Sequence, residues 1–190
     1  MVESQFLEQK TDAELVKMTL ENQENFLYLV NRYERRLLAF ILKISNVSFD
    51  EAQDLLQEVF IKVYKNLNDF DTSLKFSSWI YQITRNHVIS HYRKNMSRPQ
   101  VLSWEFNEEI LKNLATDLDI GEHLDFKNLK EKIYKTVELL KPKYREVVIL
   151  RFFEEKNYQE ISDIIKKPPG TVATLLSRAK KQLKKLFQNN

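Results

Sequence analysis

Residues 50–70, DEAQDLLQEVFIKVYKNLNDF, carry the clearest helical pattern in this chain. Their apolar residues recur every three or four positions, close to the period of about 3.6 residues of an amphipathic helix. The apolar set is Ala52, Leu55, Leu56, Val59, Phe60, Val63 and Leu67. The polar set on the opposite side is Asp50, Asp54, Gln57 and Glu58. Ser48 and Glu51 have the spacing of a capping box, which predicts the start of this helix.

Helices are also predicted on the N-terminal side of this stretch. Thr11 and Glu14 form a second possible capping box, so a first helix should begin near Asp12 and break near Asn22. A second helix should follow, with an apolar stripe over residues 26–44. Together with residues 50–70, these segments predict a helical bundle.

The segment that follows is predicted as a loop, FDTSLKFSS, at Phe70–Ser78. A fourth helix should then run from about Ser78 to Lys94, with aromatic, apolar and basic residues along it. Aromatic faces beside cations suit unpaired nucleic-acid bases, although an aromatic stripe is more often part of a core. His87 and His91 stand four apart on this helix, but the segment offers no third ligand, so we predict surface or phosphate-facing histidines and no metal.

Composition excludes several classes of protein. The chain has 2 glycines, 4 prolines and no cysteine, and 43% of its residues are hydrophobic. Turn residues for a many-stranded sheet are scarce, which favours an all-α fold, and disulfides, thiol catalysis and cysteine zinc sites are excluded. The N-terminus lacks the basic region of a signal peptide, and no apolar run is long enough for a membrane span. We therefore expect a soluble cytoplasmic protein with no membrane insertion.

Charge is distributed unevenly along the chain, although the net charge is only +3. Residues 72–104 and 164–190 contain no acid, whereas residues 104–125 contain seven acids and one basic residue, Lys112. Two basic modules around an acidic connector indicate a polyanion contacted at two places, although charged runs are also common on solvated surfaces.

The helical pattern weakens in the middle of the chain, where Pro99 and Gly121 occur. We predict two small helical domains at 1–95 and 126–190, joined by an acidic linker at 96–125. Within the linker, a short helical stretch is expected near residues 108–114.

The C-terminal segment has the proportions of a helix-turn-helix. YQEISDII at 158–165 and TVATLLSRAKKQLKK at 171–185 are separated by the turn KKPPG, and Asn157 with Glu160 should cap the first of these helices. In such motifs the second helix enters the major groove of DNA. A helical hairpin can also be plain packing, but the surrounding lysines and arginines favour contact with phosphates.

Three segments of the chain resemble the extracytoplasmic-function (ECF) sigma factors of bacterial RNA polymerase. Residues 50–70 and 75–94 resemble sigma region 2, and residues 140–185, LKPKYREVVILRFFEEKNYQEISDIIKKPPGTVATLLSRAKKQLKK, resemble sigma region 4. The resemblance implies an all-α initiation factor without a catalytic site or cofactor. It also implies three partners: core RNA polymerase, promoter DNA in double- and single-stranded form, and an anti-sigma factor.

The resemblance also assigns roles to individual residues. It places contacts with the clamp helices of the polymerase's largest subunit at Asp54, Leu55, Gln57, Glu58 and Phe60. It places contacts with the downstream promoter element, where a base is flipped into the loop, at Phe70, Lys75, Phe76, Trp79, Arg85, Asn86, Arg93 and Lys94. It places contacts with the upstream element at Thr171, Ala173, Thr174, Ser177, Arg178 and Lys181.

The sequence departs from the family pattern at the last helix. Where relatives usually read GTVKSRLSRAR, this chain has GTVATLLSRAK, so Ala173 and Leu175 replace basic residues. Lys166 stands where a turn glycine is usual, and Ser90 stands where an Asp is common.

Two other functions compete with this interpretation. A stand-alone helix-turn-helix regulator would use only the C-terminal domain and would bind palindromic DNA without polymerase. A metal-dependent enzyme built around His87 and His91 would contain bound metal. Neither alternative accounts for residues 50–70 and the acid-free aromatic helix together.

Overall fold

A computed structural model of the chain describes two compact units, Met1–Gln100 and Val101–Asn190. The described residues are 9–45, 47–94, 114, 116, 132–133 and 135–189. Every regular element among them is helical, which confirms the all-α prediction. None of their helices is both long and apolar enough to cross a membrane.

The described residues of the first unit form four α-helices. They are α1 (Asp12–Glu21), α2 (Phe26–Ser45), α3 (Phe49–Lys65) and α4 (Phe76–Lys94). Short 3₁₀ turns at Gln23–Asn25 and Leu67–Asp69 follow α1 and α3. α2 packs against α1, α3 and α4, and α3 also packs against α4. The core therefore lies between these helices, with Leu29, Leu37, Phe40, Val59, Ile80 and Tyr81 fully buried.

The predicted helix starts are confirmed in this unit. The Thr11 hydroxyl accepts a hydrogen bond from Glu14 N at 3.3 Å, and the Glu14 carboxylate accepts one from Thr11 N at 2.7 Å. Hydrogen bonds from Lys10 and Thr11 lower the pKa of Glu14 to about 2. Ser48 caps α3 by accepting from Glu51 N at 3.2 Å. These bonds pair amide groups that the first helical turn would otherwise leave without partners.

The prediction for the loop at Phe70–Ser78 was wrong at its C-terminal end, because α4 already begins at Phe76. Ser78 N and Trp79 N donate to Lys75 O at 3.0 and 3.2 Å, so Lys75 begins the helical hydrogen bonding. Phe76 is buried against Tyr33, with ring centroids 5.6 Å apart. This tertiary packing favours the helical conformation where the local sequence resembles a turn.

The second unit ends in a helix-turn-helix. The helices whose bounds the structure describes here are α5 (Pro142–Val148), which continues as a π-helical turn at Ile149–Phe153, then α6 (Tyr158–Ile165) and α7 (Pro169–Asn189). α7 packs against α5 and α6. The core includes Val147, Val148, Ile161, Ile164, Val172, Leu176, Ala179 and Leu183.

The helix-turn-helix has the predicted capping box and a shorter turn than predicted. Asn157 Oδ1 accepts from Glu160 N at 2.9 Å, and the Glu160 carboxylate accepts from Asn157 N at 2.9 Å. α7 begins at Pro169, within the predicted KKPPG turn. Proline is tolerated there because a backbone N–H in the first helical turn has no partner within the helix. Lys166 adopts the left-handed conformation, with φ 53° and ψ 51°.

The linker prediction falls mostly outside the described residues, and the boundaries at 95 and 126 stay predictions. Residues 114 and 116 are helical, and Leu114 is fully buried. Residues 132–133 and 135–138 are also helical.

Candidate nucleic-acid interface

The residues predicted to bind polymerase divide between the surface and the core. Asp54, Gln57 and Glu58 are exposed on α3. Leu55 and Phe60, in contrast, are only 2% and 9% exposed. The Phe60 ring contacts Phe26, with centroids 6.3 Å apart. Leu55 and Phe60 are therefore part of the core, and their contact with polymerase stays a prediction.

Apolar side chains that sequence reasoning did not select extend the exposed surface of α3. Ile61 is 54% exposed and Tyr64 is 37% exposed. Ile61 follows Glu58 by three residues, so the two share a side of the helix. The helical period left Ile61 out of the predicted apolar set, and its measured exposure identifies it as an outward apolar group.

Two of the aromatic residues predicted to contact the downstream element are buried. Phe70 is 7% exposed and Phe76 is 3% exposed. Their rings contact each other at 5.4 Å, and both contact Trp79, at 5.0 and 5.6 Å. Phe70 and Phe76 are therefore buried aromatic residues on which half-buried Trp79 packs. Trp79 is the member of this cluster that retains exposed surface for a base.

An open groove of about 420 Å³ lies between α3 and α4. Its lining includes Lys62, Asp69, Trp79, Asn86, His87 and Ser90. Sequence reasoning selected Trp79 and Asn86 but missed Lys62 and Asp69, which come from the end of α3 and the turn after it. The sequence signal for Lys62 was weak, because many basic residues occupy helix C-termini for electrostatic reasons alone.

The remaining predicted residues of this region lie around the groove. Lys75 is exposed in the loop before α4. Half-buried Arg85 donates from Nη1 to Asn86 Oδ1 at 3.2 Å, which leaves the Asn86 amide N–H groups as donors toward the groove. Arg93 and Lys94 lie in the last turn of α4, and their side chains are outside the described set.

His87 contradicts the expectation of surface histidines, because it is only 8% exposed. Its Nδ1 lies 2.5 Å from Lys62 Nζ, and its Nε2 lies 2.9 Å from the Glu58 carboxylate. Burial and then the Lys62 charge lower the pKa of His87 below the usual 6.5. His91 is half-buried, 3.7 Å from Glu51. Among the described residues, no group of three or more His, Asp or Glu could hold a metal ion.

All the residues predicted to contact the upstream element lie on the exposed side of α7. They are Thr171, Ala173, Thr174, Ser177, Arg178 and Lys181. Val172 and Leu176 face the core. Leu175 is half-buried, since it lies at the border between the two sides. The Thr174 hydroxyl donates to Gly170 O at 2.9 Å.

The C-terminal half of α7 extends this surface with basic residues. Arg178, Lys181 and Lys185 line a second open groove of about 490 Å³, together with Gln182 and Leu186. Leu186 is half-buried, and Phe187 is buried in the core. α7 thus presents small, apolar and hydroxyl side chains near its N-terminus and cations further along.

Comparisons with protein families match both units. The Sigma-70 region 2 family matches residues 29–98, and the Sigma-70, region 4 family matches residues 130–183. The chain is 31% identical over 177 residues to the ECF RNA polymerase sigma factor SigW of Bacillus subtilis, covering 88% of this chain and 91% of that protein. It is 28% identical over 192 residues to the ECF RNA polymerase sigma-E factor of Haemophilus influenzae, covering 95% and 97% of the two chains.

Solved structures share the fold. CnrH, in complex with the cytosolic domain of CnrY, aligns with a TM-score of 0.69 at 20% identity, over 95% of this chain and 99% of CnrH. Sigma factor RpoE from Bartonella quintana, in complex with the anti-sigma factor NepR, aligns with a TM-score of 0.65 at 21% identity, over 87% and 98%. Since sequence identity and the matches to both sigma regions agree across most of the chain, this protein belongs to the ECF family of RNA polymerase sigma factors.

Proposed function

We propose that this protein binds core RNA polymerase in the cytoplasm and directs it to promoters, where it helps to open the DNA. The observation that carries this proposal is the occurrence in one chain of the exposed acidic side of α3, the α3–α4 groove and the helix-turn-helix surface of α7. A stand-alone helix-turn-helix regulator would need only the last of these. The protein would itself be non-enzymatic, because the polymerase supplies the catalysis.

Polymerase binding is assigned to the exposed side of α3. Asp54, Gln57 and Glu58 would meet basic residues of the clamp helices, and Ile61 would add an apolar contact beside them. An apolar contact surrounded by charges is typical of specific protein interfaces. The burial of Leu55 and Phe60 supports an indirect role for both residues, in holding α3 in place.

Recognition of the downstream element is assigned to the α3–α4 groove and the loop before α4. Asn86 offers amide donors, Lys75 offers a cation, and the partly exposed face of Trp79 offers a stacking surface. These groups suit an unpaired base and its backbone, since stacking and charge together hold single-stranded nucleic acid. A base flipped from the non-template strand costs least where the duplex is already parting.

Recognition of the upstream element is assigned to α7. The methyl groups of Ala173 and Thr174 suit contact with thymine methyls in the major groove, because the Thr174 hydroxyl proton is already used within the helix. Arg178 and Lys181 would hold the phosphates. We therefore expect an A/T-rich upstream element that is read by apolar contact and DNA shape.

An anti-sigma factor is a further proposed partner. The structural relatives CnrH and RpoE are both held in complexes, with the cytosolic domain of CnrY and with NepR respectively. The similarity of fold supports an inhibitor of this kind for the present chain.

The test is reconstitution with sigma-free core polymerase, followed by sequencing of the transcripts started on genomic DNA. Asp54→Lys should weaken assembly with core roughly tenfold, because a charge that faces basic residues is reversed. Glu34→Lys, an equal change at an exposed site on α2, should assemble like the wild type. Specific start sites are expected with the wild type. Their absence, or equal assembly of both variants, would contradict the proposal.

A further inference from the structure

The contacts of His87 define its protonation state. An ammonium group can only donate hydrogen bonds, so Nδ1 of His87 must accept from Lys62 Nζ at 2.5 Å. The proton of the neutral ring is then on Nε2, which lies 2.9 Å from the Glu58 carboxylate without the geometry of a hydrogen bond. The contact between Lys62 and His87 thus joins α3 to α4.

Burial and the Lys62 charge favour this neutral form, and they outweigh the Glu58 carboxylate, which opposes it by raising the pKa of His87. Lys62 and Glu58 approach it from α3, and His91 lies on the next turn of α4, beside Glu51. Asp69 lines the same groove from the 3₁₀ turn after α3. Burial and Lys62 lower the pKa of His87, so the ring is neutral at neutral pH and can keep accepting from Lys62.

The consequence is a lysine held at a defined place in the groove. A free lysine side chain loses much of its rotamer entropy when it is fixed by a ligand. Lys62 has already lost part of this freedom, because one of its three donors is bonded to His87. The other two donors remain for an anion in the groove that Trp79 and Asn86 also line.

We propose that Lys62 is a further DNA-contacting residue, which binds a phosphate of the unpaired non-template strand, and that His87 is the positioning residue that holds its ammonium group in the groove. This inference rests on the proposed function. A phosphodiester fits because Lys62 presents a point charge rather than the flat fork that arginine offers to base edges.

The experiment measures binding of reconstituted holoenzyme to a forked promoter DNA whose downstream element is single-stranded on the non-template side. Lys62→Met should weaken binding roughly tenfold, as expected for loss of one charged hydrogen bond. Lys65→Met removes the same charge from an exposed site on α3 outside the lining of this groove, and it should have a clearly smaller effect.

Substitutions at His87 separate positioning from packing. His87→Asn keeps an acceptor near the place of Nδ1 and should stay within about threefold of the wild type, whereas His87→Leu fills the space but removes the acceptor and should lose roughly tenfold. The double variant Lys62→Met, His87→Leu should bind no more weakly than Lys62→Met alone, since both changes remove one contact. If His87 only contributes packing, the His87→Leu variant should instead bind the forked DNA better than His87→Asn.

The outcomes distinguish this inference from the proposed function. If wild-type holoenzyme prefers the fork with the promoter element over a scrambled one, the proposed function stands. The inference is then overturned if Lys62→Met binds like Lys65→Met, or if losses at the two positions add. A wild-type protein that forms no holoenzyme overturns both.

Discussion

At the scale of single residues, the turn between α6 and α7 contains a strained backbone conformation that the sequence pattern only suggested. Lys166 has a φ of 53°, where a side chain meets the following carbonyl and costs about 1–2 kcal/mol relative to the right-handed region. Glycine tolerates this conformation, and relatives usually carry it there. The turn is nevertheless held, because Lys166 N–H and Lys167 N–H both donate to Ser162 O.

Lys166→Gly should therefore stabilise the second unit by about 1 kcal/mol, after the greater entropy of glycine in the unfolded chain is subtracted. Urea unfolding followed by circular dichroism measures this. Lys167→Gly is the matched control, since Lys167 lacks the positive φ, and it should give no gain. A loss of stability in Lys166→Gly would mean that the lysine side chain contributes more than the backbone strain costs.

At the scale of secondary-structure elements, α7 has the buried and exposed sides expected of a recognition helix, but some of its exposed side chains differ from the family pattern. Its buried and exposed sides follow the helical period, so all the residues predicted to contact the upstream element lie outside the core. Ala173 and Leu175 nevertheless stand where the family pattern usually has basic residues. The position of the helix therefore follows the family, while its contacts with DNA should differ.

Ala173→Lys should tighten binding of holoenzyme to promoter duplex and steepen the dependence of log K on log salt concentration by about 0.9, the value expected for one added phosphate contact. Discrimination between upstream elements should change little. Gln188→Lys adds the same charge about 22 Å further along α7 and should steepen the slope less. A salt titration with and without the upstream element measures both. A sharp new preference for G·C steps would contradict this view of α7.

At the scale of the whole molecule, two units with their own buried cores predict two unfolding steps. Asp12 joins α1 to α2 by accepting from Arg32 at 2.9 Å and from the buried Tyr33 hydroxyl. Asp12→Asn should destabilise the first unit by about 1–2 kcal/mol and leave the second unchanged. Lys166→Gly should act only on the second. Hydrogen exchange of peptides from each unit in urea measures the two steps, and one shared transition shifted by both variants would contradict this prediction.

The sequence alone determined the helical class, the capping boxes at Thr11 and Asn157, the exposed side of α7 and the resemblance to the family. Each of these depends on residues within one or two helical turns of each other, where spacing is sufficient information. Only the tertiary structure decided that Phe60, Phe70 and Phe76 are buried and that Ile61 is exposed. It also paired Lys62 with His87, 25 positions apart in the chain. Periodicity shows which residues share a side of one helix. The contacts between α3 and α4 depend on how the two helices pack, and the sequence pattern of a single helix does not contain this information.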